Sequence, residues 1–342
     1  MRSKSYFCVA VICAASACAQ HQPTTSAATA PVPVTGVLRA TELTSRDFAA
    51  LDRQHTALIL PGGILEEHGP YLPIYADGYW NERMASELAS AIVRRPGWKA
   101  VIFPTMPLGN GPANELGRLW HYPGSFPVHF STLRDVYMDL ADDIGEQSFR
   151  WVFVVHQHGG PDHNRALDQA ADYFRDTYRA EMVNLIGLLE TNWDAEREPG
   201  LDARGQQEDG LVMHAGAGET SELIFLRPDL VDRGYVSAPS LTGAKVEEQM
   251  DLARKPGWPG YLGAPRLASA ELGRANWERK RGKIISIATQ ILDGKDPRSF
   301  PRFGDEMSKS PPDVELDRES AQHDEQARQR HAAWIKKAKL ER

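Results

Sequence analysis

Residues 57–73 carry the most informative pattern of the chain and read Ala57-Leu58-Ile59-Leu60-Pro61-Gly62-Gly63-Ile64-Leu65-Glu66-Glu67-His68-Gly69-Pro70-Tyr71-Leu72-Pro73. Its first four residues form an apolar run with the length and composition of a buried strand. The Pro-Gly-Gly sequence stops this strand, and the loop that follows carries two acids and a histidine. In α/β proteins such loops leave the carboxyl ends of strands, where ligand-binding groups usually lie.

This loop carries side chains that suit a metal. Glu66 and His68 are two residues apart, so in an extended loop their side chains leave the same face. Asp77 follows them, just before an amphipathic helix that is predicted to start near Trp80. Carboxylates and imidazoles brought together by a stiff loop suit a zinc- or manganese-type site. A single Glu-x-His more often belongs to an ordinary solvated loop, so the interpretation as a metal site depends on the rest of the chain.

Apolar runs and helical patterns alternate along the chain. Further buried strands are predicted at residues 100–104, 151–155 and 182–189. Helices are predicted at residues 44–51, 82–95, 132–147, 165–178 and 269–292, with another between 213 and 227. Residues 194–210 read as a polar excursion over the site, and residues 245–263 as irregular chain rich in Gly and Pro. The alternation predicts a three-layer α/β/α fold with a mostly parallel central sheet.

Two other regions supply candidate ligands. The strand at 151–155 runs directly into a loop that contains His158. The segment that opens the helix after residue 213 contains His214 and Glu219. Because parallel strands gather such loops at one edge of the sheet, we expect these side chains to meet those of the first loop.

Three blocks together resemble the creatininase (creatinine amidohydrolase) family. They are Pro61-x-Gly63-x-x-Glu66-x-His68-Gly69-Pro70-x-Leu72-Pro73 with Asp77 behind it, His158-Gly159-Gly160 at a strand end, and His214-Ala215-Gly216-x-x-Glu219-Thr220-Ser221. The resemblance covers roughly residues 38–292. It implies a dinuclear metal amidohydrolase on a layered α/β/α fold, often assembled as a homo-hexamer.

The resemblance also implies a role for each candidate ligand. Glu66 and His158 would bind one divalent ion, and His68 and Glu219 would bind the other. Asp77 would bridge the two ions. Carboxylates with histidines suit Zn, Mn or Fe about equally, so the metal stays open.

The chain departs from the family pattern around the second block. The family's Asn-Gly-His-Gly-Gly-Asn reads His156-Gln157-His158-Gly159-Gly160-Pro161 here. Asn164 lies close enough in sequence to replace the second asparagine. Creatinine hydrolases carry a glutamate two residues after the histidine, where this chain has Gly160. Another small amide or lactam is therefore the expected substrate.

The expected reaction is hydrolysis of a non-peptide or small-peptide C–N bond, in an amide or lactam, by a metal-activated water. His214 is predicted to contact substrate and to donate the proton to the leaving nitrogen, because imidazole titrates near neutral pH. With Glu219 it forms the predicted catalytic pair. The alternative is a non-catalytic, metal-stabilised binding protein on the same fold. A serine hydrolase is disfavoured, because no Gly-x-Ser-x-Gly elbow is present and residues 123–127 do not fit it.

Other polar and aromatic residues near the motifs have simpler interpretations. Glu67 is expected to be solvated or to support a ligand. His156 and His163 are expected either to make structural hydrogen bonds or to be ligands. Glu219 would also be a favourable charge at a helix start. Aromatic side chains that either line the pocket or only pack are Trp120, Tyr122 and Trp193.

Composition limits the possible partners. The chain of 342 residues has a formal charge of −7 and a pI of about 5.9, with no dense basic stripe, which argues against nucleic acid. Its cysteines are all near the start, at Cys8, Cys13 and Cys18. The body of the chain therefore has no disulfide, thiolate metal site or cysteine nucleophile.

The first residues predict export. Residues 1–19 have the basic start, short apolar run and small residues of a signal peptide. Cleavage before Cys18 would leave a lipid anchor, whereas cleavage after Ala19 would release a soluble protein; both predict a periplasmic, extracytoplasmic location. We predict a flexible Thr/Ala/Pro-rich tether at residues 20–37 and a creatininase-like metal hydrolase domain at 38–300. The charged tail at 301–342 ends in a segment that is either a solvated helix or disordered.

Overall fold

The computed structural model describes residues 36–188, 197–307 and 309–340. The predicted export signal at residues 1–19 and nearly all of the tether at 20–37 lie outside the described residues, as does Trp193. Among the helices of the described residues, none is both long enough and apolar enough to cross a membrane.

A five-stranded parallel sheet forms the centre of the fold. Its strands are β1 (Val37–Arg39), β2 (Thr56–Pro61), β3 (Lys99–Ile102), β4 (Trp151–Val155) and β5 (Glu181–Asn184). The order across the sheet is β1-β3-β2-β4-β5, so β3 and β4 flank β2 on opposite sides. The connections that leave β2 and β3 therefore run in opposite directions across the sheet. In open α/β sheets such a change of direction leaves a crevice at the carboxyl ends of the strands, where ligands bind.

One face of the sheet packs on helices α2 (Ala76–Ile92) and α8 (Ala270–Leu292). Ile59 of β2 lies on this face and is fully buried. Trp80 of α2 meets Trp277 of α8 edge-to-face, with ring centroids 5.5 Å apart. Such a pair contributes about 0.5–1.5 kcal/mol beyond the area that it buries.

The opposite face packs on helices α3 (Phe130–Glu146) and α4 (Pro161–Tyr178). Leu60 of β2 points to this side, together with Tyr137 of α3 and Phe174 of α4, and all three are fully buried. Both faces of β2 are thus covered, which explains why its sequence is continuously apolar rather than alternating. The predicted three-layer α/β/α architecture is confirmed.

Shorter elements complete the described chain. The remaining helices are α1 (Ser45–Ala49), α5 (Ala203–Asp209), α6 (Ala217–Leu226), α7 (Val246–Ala253), α9 (Phe303–Met307) and α10 (Pro311–Lys337). The start of α1 has the expected cap, because the Thr44 side chain accepts from the Asp47 amide while the Asp47 carboxylate accepts from the Thr44 amide.

Helix α2 begins earlier than expected. It starts at Ala76 rather than near Trp80, so Asp77 lies in the first helical turn and not in the loop. Gly78 obscured this start, because glycine is a poor helix former. The structure explains the glycine, since a Cβ at residue 78 would lie 2.1 Å from the Tyr75 ring.

Two further expectations about local structure were wrong. Strand β5 ends at Asn184, and Ile186–Leu188 forms a 3₁₀ helix instead of continuing the strand. A short apolar run reads the same in a strand and in a buried turn. The segment 245–263 is not irregular throughout, because it contains α7, whose Val246 and Met250 recur at helical spacing and are buried.

The charged tail is helical. Helix α10 begins with two prolines, which suit the first helical positions, and ends with Lys336 and Lys337 near its negative carboxyl terminus. The first turn also contains Asp313, an acid placed at the positive end of the helix. Of the alternatives left open for this segment, the structure therefore has the helix.

Candidate metal centre

All predicted ligands lie at the carboxyl edge of the sheet. The loop after β2 supplies Glu66 and His68, the first turn of α2 supplies Asp77, the loop after β4 supplies His158, and the start of α6 supplies Glu219, with His214 just before it. Except for Glu219, whose side chain is 26% exposed, these side chains are at most 6% exposed. The structure therefore brings every residue of the predicted site into one buried cluster.

One half of the cluster forms around His158. Its Nδ1 atom lies 3.1 Å from Oε2 of Glu66 and 3.5 Å from Oδ2 of Asp77. Glu66 is held in place from the other side, because the Ala113 amide donates to Oε1 at 2.5 Å.

The other half of the cluster forms around His68. Its Nε2 atom lies 3.7 Å from Oδ1 of Asp77 and 3.9 Å from Oε2 of Glu219. Asp77 therefore presents one carboxylate oxygen to His68 and the other to His158. A carboxylate in this position has the arrangement of a bridge between two ions.

The outer ring nitrogens of His158 and His68 face backbone carbonyls. Nε2 of His158 donates to the carbonyl oxygens of Asn110 and Gly111, both at 3.0 Å. Nδ1 of His68 donates to the carbonyl oxygen of Glu66 at 3.1 Å. These bonds fix a proton on the outer nitrogen, so the inner nitrogen faces the carboxylates and can offer its lone pair to a cation once it has lost its own proton. Metal-ligating histidines are typically fixed in this way.

His214 has the same arrangement. Its Nε2 donates to the carbonyl oxygen of Glu67 at 2.6 Å, and its Nδ1 lies 3.7 Å from Oε1 of Glu66. The following residue, Ala215, has a left-handed φ of 50°, which is uncommon for a residue with a side chain. That turn lets the Ala215 amide donate to Oε2 of Glu219 at 2.6 Å, so His214 and Glu219 face the same space.

The donor set fits divalent cations. Two sets of three side chains could each hold an ion, because within each set the ligand atoms all lie within 4.8 Å of one another. One set is Glu66, Asp77 and His158, and the other is Glu66, His68 and His214. Within the part of the chain that the structure describes, Oδ2 of Asp77 is buried and accepts no hydrogen bond. A buried carboxylate oxygen without a donor needs a positive partner. The chemistry of the cluster therefore suits a site for cations.

The electrostatics of the cluster favour positive charge at its centre. Burial opposes charge on Glu66, but the imidazoles around it reverse this and hold the pKa of Glu66 well below its usual range. Burial would lower the pKa of His68, yet Asp77 and Glu219 raise it to about 10. The same carboxylates of Glu66 and Asp77 raise the pKa of His158 well above its usual value. Cations would replace these protons, so metal binding and proton release are coupled.

His214 differs from its neighbours in protonation. Burial lowers its pKa below 6.5, and the nearby His68 lowers it further, against the opposing effect of Glu66. Its imidazole is therefore neutral near pH 7, with an unprotonated Nδ1 directed at the cluster.

The residues that support the candidate ligands could not be predicted from the sequence. The loop after β3 carries Asn110, Gly111 and Ala113, whose backbone groups hold His158 and Glu66. The run of Gly, Asn and Pro after this strand predicts a loop. It does not predict which side chains the backbone of that loop contacts. Asn164, expected to replace a missing asparagine, donates to the carbonyl oxygens of His158 and Gly160, both at 3.0 Å.

Several nearby polar residues lie behind the cluster. His156 contacts the Tyr137 hydroxyl at 2.5 Å, and burial lowers its pKa to about 3. His163 accepts from the Asn110 amide at 3.3 Å. Glu67 is buried rather than solvated, and it accepts from Ser125. These side chains support the loops of the site and do not enter the cluster.

The aromatic candidates of the loop after β3 pack against other elements. Tyr122 lies against Trp258, with ring centroids 5.5 Å apart, and Trp120 stacks on His323 at 5.1 Å. Neither Trp120 nor Tyr122 lines the cavity beside the metal-type cluster.

A cavity of about 120 Å³ opens beside the cluster. Glu66, Asp77, His158, His214 and Glu219 form its inner end. Its outer end is lined by side chains from the loop after β3, from α4 and from the C-terminal helices α9 and α10. A small molecule in this cavity would lie directly against the cluster.

The chain is similar in sequence to known proteins. The family model described as creatininase, creatinine amidohydrolase, matches residues 41–287. The chain is 25% identical over 267 residues to a creatinine amidohydrolase of Pseudomonas putida, covering 76% of this chain and 96% of that protein. It is 27% identical over 279 residues to a mycofactocin precursor peptide peptidase of Mycobacterium ulcerans (strain Agy99), covering 78% and 95%.

Solved structures show the same fold. A mutant creatininase of the Zn-Zn type superimposes with a TM-score of 0.55 at 21% identity, covering 75% of this chain and 99% of that one. A structure named creatininase Mn gives a TM-score of 0.53 at 20% identity, with the same coverage. The family match extends over most of the chain and includes the whole cluster of carboxylates and imidazoles. The chain therefore belongs to the creatininase family of metal-dependent amidohydrolases.

Proposed function

We propose that this protein hydrolyses the C–N bond of a compact amide or lactam with a water activated by two divalent ions. The observation that carries the proposal is the position of Asp77, which faces His68 with one oxygen at 3.7 Å and His158 with the other at 3.5 Å. A buried carboxylate placed between two imidazoles in this way is what a two-ion site requires.

Each ion would have its own ligands. Glu66 and His158 would hold one ion, His68 and Glu219 the other, and Asp77 would contact both. When bound, such a pair of ions supplies a water whose pKa falls toward neutrality and an electrophile for the carbonyl oxygen. Zinc, manganese and iron all suit this mixed set of ligands, and related creatininase structures name zinc and manganese.

The chain itself supplies the proton transfer. His214 holds its Nε2 proton on the carbonyl oxygen of Glu67, which leaves Nδ1 free to accept a proton from the attacking water. The same atom then delivers that proton to the leaving nitrogen. General acid–base transfer by a positioned imidazole contributes about 10²–10⁴-fold to the rate.

The substrate class follows from the relatives and from one glycine. One relative is named for creatinine and another for a precursor peptide, so the family's bonds include those of a small amide and of a peptide. In this chain a Cβ at Gly160 would lie 2.8 Å from Nε2 of His158 and 2.9 Å from the Asn110 carbonyl oxygen. A glutamate of the kind found in creatinine hydrolases does not fit at this position. We therefore propose a non-peptide or small-peptide amide other than creatinine.

The proposal extends to the location and the oligomeric state of the protein. Residues 1–19 lead us to propose that the enzyme acts outside the cytoplasm, in the periplasm, either soluble or anchored through Cys18. The family resemblance leads us to propose a homo-oligomer, with a hexamer as the first size to test. Sedimentation of the processed protein and mass spectrometry of its N-terminus check both.

Turnover by metal-loaded protein tests the function. The purified chain, stripped with chelator and reloaded with Zn, Mn or Fe, is assayed on lactams, acyl amides and dipeptides. We expect hydrolysis that requires metal and that is lost in Asp77→Ala. Two bound equivalents of metal with no turnover on any of these substrates would instead favour a metal-stabilised binding protein.

A further inference from the structure

The outer wall of the cavity comes from a part of the chain beyond the family match. That match ends at residue 287. The cavity is nevertheless lined by Phe303 and Met307 of α9, and by several residues of α10. The candidate ligands Glu66, Asp77, His158, His214 and Glu219 lie at the inner end of the same cavity. The C-terminal helices therefore contribute to the environment of a bound substrate.

One face of α10 is directed at the cavity. Its lining residues include Asp313, Leu316, Asp317 and Ser320, which recur at helical spacing. Ala327 continues this face further along the helix and is buried, at 5% exposed. Residues between them, such as Arg318, are exposed. The sequence of α10 thus has an inner face, although its overall composition is strongly polar.

Two polar contacts hold α10 against the loop after β3. Nε of Arg118 donates to Oε2 of Glu319 at 2.6 Å, with both side chains partly buried. The Ser320 hydroxyl donates to Oε2 of Glu115 at 3.1 Å in a buried contact. Burial raises the pKa of Glu115 to about 8, so this carboxyl group is largely neutral at pH 7.

The wall is also fastened to α3 and α4. The Phe130 amide, at the start of α3, donates to Oδ2 of Asp324 at 3.3 Å. Arg165 of α4 reaches Oδ1 of Asp317 at 3.1 Å. Before α9, Arg302 binds both carboxylate oxygens of Asp172, each at 2.7 Å. Contacts on three elements hold the tail in one position.

The interior of this wall is mainly apolar. Leu316 packs with Leu116, Met213 and Val246 around a small hydrophobic cluster, and all of them line the cavity. On the other side Arg165 pairs with both Asp162 and Asp317, so its charge is already neutralised. An anionic group entering here would meet carboxylates and no free cation among the lining residues that the structure describes.

We propose that α10 determines the substrate range of this enzyme, by limiting the site to amides with a short, uncharged, apolar group beside the scissile bond. Longer acyl or peptide chains would collide with Leu316 and its neighbours. The inference rests on the proposed function, because it concerns the group that extends outward from the reacting carbonyl. It goes beyond that function by assigning selection for size to a segment outside the family match.

The test uses two series of compounds of graded length. Straight-chain acyl anilides from acetyl to decanoyl report kcat/KM with the metal-loaded protein. Straight-chain hydroxamic acids of the same lengths, which bind divalent ions through two oxygens, report Kd by calorimetry. The proteins compared are the unmodified chain, Leu316→Ala, and a matched control, Ile335→Ala, which changes an exposed residue on the same helix.

We expect kcat/KM and hydroxamate affinity to fall with chain length in the unmodified protein. Leu316→Ala should raise the ratio of long-chain to short-chain values by about tenfold, the scale of one or two methylene groups in an apolar pocket. Ile335→Ala should leave the ratio within twofold. A chain truncated after Arg302 should shift the ratio further if it folds, and the decision rests on Leu316→Ala, which keeps the whole chain.

The outcomes separate the two proposals. If the ratio is the same in Leu316→Ala and in the unmodified protein, α10 does not set the range, even where hydrolysis occurs. If the hydroxamates bind with the expected length dependence but no amide is cleaved, the proposed role of α10 is supported and the proposed hydrolysis is wrong. If no hydroxamate is bound and no amide is cleaved, both proposals are wrong.

Discussion

Nδ1 of His158 lies 3.1 Å from Oε2 of Glu66, although the two residues follow different strands of the sheet. The contact exists because β2 and β4 are parallel neighbours, so their carboxyl ends meet at one edge. The loop after β3 on the other side of β2 supplies carbonyl groups that orient the imidazole. The topology therefore brings a ligand, its partner and its support together in one crevice.

The support of His158 gives a first prediction. Gly160 has an ordinary φ of −63°, so alanine there would cause no backbone strain. Its Cβ would however lie 2.8 Å from Nε2 of His158 and 2.9 Å from the Gly111 carbonyl oxygen. Gly160→Ala should weaken metal binding about 10–100-fold, as loss of a supporting contact to a ligand usually does. Competition with a fluorescent chelator measures the affinity.

A glycine elsewhere provides the control for this substitution. Gly282 lies inside α8 with no atom within 4 Å of an added Cβ. Gly282→Ala should leave metal affinity unchanged and stabilise the fold by up to about 1 kcal/mol. Equal metal affinity in the two variants would mean that the His158 carbonyl contacts do not matter for binding.

The neutral His214 gives a second prediction. His214→Ala should keep the full metal content and reduce kcat by about 10²–10⁴-fold, because the proton acceptor and donor is lost. His55→Ala removes an imidazole that is 53% exposed and should leave both quantities unchanged. Elemental analysis and steady-state kinetics on the same preparations measure the two effects.

A different result would reassign His214. Its Nδ1 atom also belongs to a group with Glu66 and His68 whose ligand atoms lie within 4.8 Å of one another. Loss of one equivalent of metal in His214→Ala would make this residue a ligand, and the proton transfer would then need another group.

A buried acid outside the site gives a prediction on pH. Asp209 is 2% exposed, and its Oδ1 accepts from the Ala217 and Ala264 amides. Burial raises its pKa from 3.8 to about 6, although these two amides oppose the shift. Since the folded state binds the proton more tightly, this stabilisation is complete below pH 3.8 and is lost as the pH rises through 6.

Asp209→Asn isolates this effect, because the amide oxygen still accepts both hydrogen bonds while the charge is absent. Relative to the unmodified chain, the variant should gain on the order of 2 kcal/mol of unfolding free energy between pH 4 and pH 7. Urea unfolding at several pH values measures it, with the exposed Asp251→Asn as control. A difference that does not change with pH would show that Asp209 is not buried as a neutral acid.

The layers and the meeting of the candidate ligand side chains at one edge of the sheet could be predicted, because both depend on strong local patterns. The run at 57–60 is apolar throughout, and only a strand covered on both faces needs that. Glu66, His68 and His158 follow strand ends directly, so the parallel arrangement alone places them at one edge. Asp77 was predicted as a ligand although its helical setting was not, since Gly78 disguised the first turn of α2.

The contacts that depend on tertiary packing could not be predicted in the same way. The inner face of α10 is visible only when its partners are known, because Asp317 and Ser320 look like ordinary surface residues in the sequence. The carbonyl groups of Asn110 and Gly111 carry no side-chain signal at all. Both kinds of contact are set by where distant segments meet, which a local pattern does not encode.

Metal content is the most direct test of the proposed two-ion centre. We expect two equivalents of divalent metal per chain in the unmodified protein and in Asp143→Ala, which changes an exposed aspartate on α3. Asp77→Ala should lose both equivalents and all activity, because it removes the carboxylate that faces both His68 and His158. Two equivalents of metal retained by purified, folded Asp77→Ala protein would contradict the proposal that Asp77 contacts both ions.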